Sequence, residues 1–343
     1  MIRSVADDVT ETIGATPLVW LAGVGPWSVF VKLEKANPTH SAKDRMALAI
    51  IKGAEMRGEL TAGGTIVESS SGNTATALAM IAAARGYKCI AVMDHHASRE
   101  KVETVRAYGA EVVLVGGNAP EGIVSAAERR EEVKRVLART PGAFFANQAD
   151  NLDNAGAFVA LADEVIDAVG TIDVLIGGVG SGGSLCGTSR ELRRRGQCTR
   201  VIAVEPDGSI TFGGHGGPYL QSGPGTPPGF AVGANVDFGL IDEHVVVTDR
   251  EAFNTARALA RTKGLLLGGS SGASIYVALT LACAERQEAN VIVIAADGGE
   301  KYLSTIFDDA WMCEHDLLDN NVTVLINRLL AGESKLVRRL TPK

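Results

Sequence analysis

The feature that most narrows the fold is alternation. Short runs rich in β-branched residues, at 29–33, 65–68, 89–93, 112–115, 144–147, 174–177, 201–205 and 291–295, are separated by longer amphipathic or apolar stretches. Helical periodicity covers 73–85, 99–108, 123–139, 183–195, 251–261 and 273–285. Such alternation belongs to a mostly parallel sheet with helices on both faces, so the expected fold class is α/β. At 343 residues and 46% apolar content, the chain is long enough to close two cores. The stretch 213–229, crowded with glycine and proline, is expected to be a long functional loop. The end of the chain, after residue 320, reads as a short apolar helix followed by a basic tail.

Charge and composition remove several function classes. Lys+Arg 33 against Asp+Glu 40 gives a net charge of −7 and no basic stripe for a phosphate backbone, so nucleic acid is not an expected partner. The most apolar run, 77–84, stops at Arg85, and the first residues lack the apolar core of a signal peptide, so no membrane is expected and the chain reads as cytoplasmic. Cys89, Cys186, Cys198, Cys283 and Cys313 are odd in number and never in C-x-x-C spacing, which argues against disulfides and zinc and leaves all five as buried small apolar filler. His95-His96 reads as a loop pair, and no metal is expected.

Three glycine-rich turns and one lysine carry the candidate chemistry. Gly180, Ser181, Gly182, Gly183 and Ser184 follow an apolar strand and open a helix, where successive N–H groups and the helix dipole suit a phosphate. The overlapping Gly178-Val179-Gly180-Ser181-Gly182-Gly183 also satisfies G-x-G-x-x-G, with Glu205 placed as a ribose-binding acid, so this turn alone fits a nicotinamide dehydrogenase as well. In Ser69-Ser70-Ser71-Gly72-Asn73-Thr74, hydroxyls and N–H groups gather at a helix start and could hold a carboxylate, although Ser71 or Asn73 could equally be plain helix caps. Gly268-Gly269-Ser270-Ser271-Gly272-Ala273 has the same two readings. Lys43 sits in Asn37-Pro38-Thr39-His40-Ser41-Ala42-Lys43-Asp44-Arg45 before an apolar helical run, and in isolation Lys-Asp-Arg would be solvated surface.

Taken in order, N-P-x-x-S-x-K-D-R, S-S-G-N-T, G-S-G-G-S and G-G-S-S-G-A resemble the cysteine synthase and cystathionine β-synthase family of fold-type II pyridoxal-phosphate (PLP) enzymes. The likeness runs from Ile13-Gly14-Ala15-Thr16-Pro17-Leu18 to Asp297-Gly298-Gly299-Glu300-Lys301-Tyr302. It implies two α/β domains, each with a mostly parallel twisted sheet flanked by helices: a smaller substrate-binding domain at 40–148, a larger PLP-binding domain formed by 1–39 with 149–325, and a tail at 326–343. It further implies PLP as cofactor, small amino-acid substrates and a homodimer. Lys43 would form the internal aldimine and act as the catalytic base, while Gly180 to Ser184 would hold the cofactor phosphate. Asn73 would meet the 3′-oxygen, Ser270 the pyridine nitrogen, and Ser70, Ser71, Gly72 and Thr74 the substrate carboxylate together with Gln148. A neutral hydroxyl at the pyridine nitrogen makes a weaker electron sink than a carboxylate would, which favours β-elimination over transamination. The implied reaction is β-replacement on an O-activated L-serine through an aminoacrylate intermediate.

Departures from the commonest cysteine synthase pattern bear on the nucleophile. Ser70 stands where threonine is usual and Ala75 where glycine is usual, and the His and Gly-Pro expected after Gln148 are missing from 151–164. With Asp94, Gly269 and the segment 208–213, these features resemble the branch that makes N-(2-amino-2-carboxyethyl)-L-glutamate, a precursor of 2,3-diaminopropionate in siderophore and antibiotic pathways, from O-phosphoserine and glutamate. On that reading Arg99, His215 and the backbone of 213–217 are the expected partners for the extra carboxylates. A cysteine synthase using sulfide is the alternative within the family; a nicotinamide-dependent dehydrogenase and a catalytically silent binding protein are the alternatives outside it.

Overall fold

In the computed structural model, residues 5–95, 97–117 and 126–333 are described. His96, the first residues of the helix expected at 123–139 and the basic tail lie outside them. Ten strands are found among the described residues: β1 (Leu18–Val24), β2 (Trp27–Leu33), β3 (Thr65–Ser69), β4 (Lys88–Asp94), β5 (Glu111–Val115), β6 (Phe144–Phe145), β7 (Val174–Gly178), β8 (Arg200–Pro206), β9 (Glu243–Val247) and β10 (Ala289–Ala295). The helices are α1 (Lys43–Met56), α2 (Asn73–Arg85), α3 (Arg99–Ala107), α4 (Ala126–Arg139), α5 (Asp153–Gly156), α6 (Val159–Val169), α7 (Gly183–Arg194), α8 (Asp249–Lys263), α9 (Gly269–Ala282), α10 (Asp309–Glu314) and α11 (Asn320–Leu330).

The strands form a six-stranded sheet, β1-β2-β10-β7-β8-β9, and a four-stranded sheet, β5-β4-β3-β6. Of these strand pairs only β1–β2 is antiparallel. The continuous apolar runs of the central strands are explained by burial on both faces. In β10, Val291, Val293 and Ala295 pack on one side with α8 and α9, while Ile292 and Ile294 pack on the other with residues of α1, α2, α6 and α7. The small sheet repeats the scheme in β4, where Cys89, Ala91 and Met93 face α2 and Ile90 and Val92 face Val133 and Val136 of α4.

Caps set several helix ends. Thr248 and Glu251 form a capping box at the start of α8, which ends at the left-handed Gly264 (φ +66°). The 213–229 stretch lies in a long irregular connection between β8 and β9, as its composition implies. Two strands escape the sequence pattern. β1 is an edge strand whose pairing register shifts between Trp20 and Ala22 and whose apolar run LVWLAGV has few β-branched residues, and β9 is an edge strand that begins Glu-His and has only Val247 buried. α9 starts at Gly269, four residues before the expected 273, and α6 has no counterpart among the helices expected from periodicity. Cys89, Cys186 and Cys283 are buried, but Cys198 and Cys313 are exposed, which corrects the reading of all five as core filler; none is in a disulfide. Among the described residues no helix is long and apolar enough to cross a membrane.

Candidate active site

The carboxyl ends of parallel strands from both sheets converge on one cleft, the usual place for a ligand in an open α/β sheet. Lys43, Asn73, Gly180, Ser181, Gly182, Gly183, Ser184, Ser222, Ser270 and Asp297 line it. The structure therefore gathers every expected cofactor-binding residue at one place.

Lys43 is the first residue of α1, and its backbone is tied to the end of β10. Ser41 bridges Asp297, and the Ala42 N–H donates to the Ala296 carbonyl at 2.8 Å. Surrounding protein pushes the Lys43 ammonium below the ordinary lysine range, against the pull of the Asp297 carboxylate. The next two residues are buried supports and not solvated surface. Asp44 accepts from the Thr39 N–H at 2.7 Å and is pushed up to about 6, chiefly by burial. Arg45 pairs with Glu34 at 2.7 Å and with Glu164 at 2.8 Å, joining α1 to the turn that follows β2 and to α6.

The 180–184 turn has the shape of an anion cradle. Gly182 caps α7 in the left-handed region (φ +88°), and a Cβ there would come within 2.6 Å of the Asn235 backbone. A Cβ on Gly183 would collide with the Asn154 side chain, and one on Gly180 with the Gly223 carbonyl. The first-turn N–H groups of α7 have no intrahelical acceptor and lie at the positive end of its dipole. Asn154 braces the turn by donating to Ser181 Oγ at 3.1 Å and to the Gln148 carbonyl at 2.7 Å.

No side chain caps α2 or α9, so the plain-cap reading of the other two turns does not hold. Ser71 Oγ accepts the N–H of Asp94, Gly72 N–H donates to Ser70 Oγ at 3.3 Å, and Thr74 Oγ1 donates to Gln148 Oε1 at 2.6 Å. The structure thus joins the five expected carboxylate-binding residues into one neighbourhood, next to Asn73. In the third turn Ser270 is buried and faces the cleft, whereas Gly269 and Gly272 permit close packing. A Cβ on Gly269 would reach 2.5 Å from the Phe253 ring, and one on Gly272 would strike the Ala252 carbonyl.

These observations fit PLP. A lysine with a lowered pKa stands across the cleft from a glycine-rich, N–H-lined turn suited to a dianionic phosphate, and a carboxamide and a buried hydroxyl remain to meet the ring's polar atoms.

Three cations near the site are absent from the residues expected there. Lys101 Nζ lies 3.3 Å from Ser222 Oγ and 5.0 Å from the centre of the Tyr302 ring. Arg129 Nε donates to Ser69 Oγ at 3.0 Å, with its guanidinium 5.8 Å from the Phe230 ring centre. Lys301 Nζ donates to Asn73 Oδ1 at 2.6 Å. Burial holds all three below their usual ranges, and none has a carboxylate ion-pair partner among the described residues. A usable signal exists for Arg129, which precedes the buried Val133 and Val136 by four and seven positions on an otherwise charged helix. Arg99 and His215, the cations expected at the site, are exposed and outside the cleft wall. Nearby, burial pushes the Glu68 carboxyl up to about 7, while the Gln148 N–H and Arg129 oppose the shift.

A two-sheet α/β fold with this lysine and this anion cradle defines a fold-type II PLP enzyme. The family model for pyridoxal-phosphate-dependent enzymes matches residues 9–298, and the chain belongs to that family. It is 47% identical over 329 residues to a candidate cysteine synthase of Sinorhizobium fredii, spanning 95% of this chain and 98% of the relative. Among solved structures, O-ureido-L-serine synthase is similar at 35% identity and TM-score 0.81, covering 90% of this chain and 99% of its own. O-acetylserine sulfhydrylase isoform 3 of Entamoeba histolytica is similar at 30% identity and TM-score 0.83, covering 96% and 97%. The chain is thus a PLP-dependent, cysteine synthase-like β-replacement enzyme, and the dehydrogenase reading of its G-x-G-x-x-G turn is set aside.

Proposed function

We propose that the enzyme replaces the β-substituent of an O-activated L-serine, O-phosphoserine or O-acetylserine, with an amine nucleophile such as L-glutamate, giving N-(2-amino-2-carboxyethyl)-L-glutamate. The observation that carries the choice of an acidic nucleophile is the pair Lys101 and Arg129. Both are partly buried beside the serine-rich turn or the 222–230 loop, and both are without a carboxylate partner among the described residues. A cation left unpaired in a partly desolvated place is costly unless a ligand supplies the anion. Sulfide needs no such partner; the two carboxylates of glutamate do.

In this reading the N–H groups of Gly182, Gly183 and Ser184 hold the cofactor phosphate, with Gly180 and Ser181 shaping the turn. Asn73 meets the 3′-oxygen and Ser270 the pyridine nitrogen. PLP, when bound through Lys43, supplies the sink for the electron pair left at the substrate Cα. Ser70, Ser71, Gly72, Thr74 and Gln148 hold the substrate carboxylate, which fixes the Cα–H bond relative to Lys43. Lys43 Nζ takes the Cα proton as the leaving group departs from Cβ and returns it after the nucleophile has added. Its lowered pKa enlarges the free-amine fraction needed for that first transfer. Two half-reactions on one site give ping-pong kinetics. A homodimer of cytoplasmic subunits is part of the same proposal, by analogy with the family.

The names of the Sinorhizobium relative and of the Entamoeba structure favour a second reading, in which sulfide is the nucleophile. Product mass with each donor decides between them. Glutamate should be consumed with O-phosphoserine to give a secondary amine, much faster than glutamine or aspartate at equal concentration. Rapid cysteine formation from sulfide with no glutamate product would reject the proposal.

A further inference from the structure

We propose that Lys301 is a positioning residue for the cofactor's 3′-oxygen, acting through Asn73. The inference rests on the reading that Asn73 meets that oxygen. A carboxamide presents nearly isosteric ends, so only its partners decide whether the carbonyl or the NH₂ faces a ligand. Here the partners leave no choice. Lys301 Nζ can only donate, and it lies 2.6 Å from Asn73 Oδ1; the Asp297 carboxylate accepts, and its Oδ2 takes Asn73 Nδ2–H at 2.9 Å. Turning the amide over would set N–H groups against the ammonium and the carbonyl oxygen against the carboxylate.

Asp297 is itself immobilised. Tyr302 O–H donates to the same Oδ2 at 2.7 Å, the Gly268 N–H donates to the Asp297 carbonyl at 3.1 Å, and Ser41 bridges its backbone. One Nδ2–H of Asn73 is used by Asp297, and the second is left for a ligand in the cleft that Asn73 lines. A 3′-oxygen accepts from an N–H and would be repelled by a carbonyl, so the orientation set by Lys301 is the binding one. Lys301 also places a positive charge one side chain away from that oxygen. The Asp297 carboxylate lies on the other end of the same amide, so the Lys301 charge offsets it, and removing that charge would leave the carboxylate to disfavour the oxygen's anionic form. Asp297, Lys301 and Tyr302, all from the turn after β10, together form a rigid backstop for one atom of the ligand.

The test compares wild type with Lys301→Met, Lys301→Gln, Lys301→Arg and Asn73→Ala as purified proteins. It reads the PLP dissociation constant of the apo form and, at one fixed pH, the ratio of the visible band (3′-oxygen anionic) to the near-ultraviolet band (3′-oxygen protonated). Lys301→Met should weaken PLP binding roughly tenfold, as expected for loss of a charge-assisted hydrogen bond, and shift absorbance to the near-ultraviolet band. Lys301→Arg should restore most of the wild-type ratio. Lys301→Gln, which keeps a donor and loses the charge, should retain affinity better than Met while still shifting the ratio, and it answers the question if Met fails to fold. Wild-type affinity and ratio in Met and Gln, alongside altered values in Asn73→Ala, would overturn the role of Lys301 and leave that of Asn73 standing. Unchanged values in Asn73→Ala as well would overturn the placement of the 3′-oxygen.

Discussion

Replacing Gly182 by alanine should damage the phosphate cradle in a measurable and separable way. Its φ of +88° costs an L-residue roughly 1–2 kcal/mol. The added Cβ would lie 2.6 Å from the Asn235 carbonyl carbon and oxygen and from the Val236 nitrogen, all backbone atoms that cannot rotate away. Overpacking of that kind adds roughly 1–3 kcal/mol, for a total of about 2–5 kcal/mol. Gly196 provides the control: it lies just past the other end of the same helix with φ +80°, and an added Cβ would meet nothing within 4 Å, so Gly196→Ala should lose only the conformational part. Urea unfolding of both apo variants measures the two costs. If the first turn of α7 shifts to relieve the clash, PLP titration of Gly182→Ala should show a dissociation constant raised by about tenfold to a hundredfold, while Gly196→Ala keeps the wild-type value. Equal stability losses in the two variants, or unchanged PLP affinity in Gly182→Ala, would refute the cradle.

Two further substitutions address the supports of the site. Arg45→Met leaves Glu34, fully buried, without its guanidinium partner, so it should cost about 3–5 kcal/mol in urea unfolding; a loss under about 1 kcal/mol would contradict the supporting role given to that network. Glu68 holds a proton up to about pH 7 when folded but only to about 4.5 when unfolded, so between those values the folded state binds more protons and stability falls as pH rises. Glu68→Gln should flatten the unfolding midpoint across that window, and a slope as steep as that of the wild type would assign the pH dependence to other groups.

Much of the site is legible because its residues are fixed by local chemistry. A cluster of glycines before a helix announces a close backbone approach, and the lysine, the carboxamide and the serines each stand at a helix start, where periodicity places them within a residue or two. The central strands are equally visible, since burial on both faces leaves uninterrupted runs such as Val291 to Ala295. The edge strands are less visible: β1 is apolar but poor in β-branched residues, and β9 is short, starts on Glu243 and His244 and buries only Val247. Lys101 and Lys301 are illegible for another reason: a surface cation and a half-buried one have the same sequence signature, and only the fold brings α3 and the turn after β10 against Ser222 and Asn73, whereas Arg129 leaves a trace in its spacing from Val133 and Val136. Arg99 and His215 fail as candidates because nearness to a motif in sequence does not turn a side chain toward the cleft.

Three lysines with lowered pKa values, Lys43, Lys101 and Lys301, stand around Asp297, and only one should carry the cofactor. Borohydride reduction of the PLP-loaded enzyme, followed by proteolysis and peptide mass spectrometry, fixes the cofactor irreversibly to the lysine that holds it. The pyridoxyl mass should appear on Lys43 alone, and Lys43→Ala should lose both the adduct and the visible band with its fold intact. An adduct on Lys101 or Lys301 in the wild-type protein, or a yellow and fully active Lys43→Ala, would contradict the assignment of Lys43 and the reaction built on it.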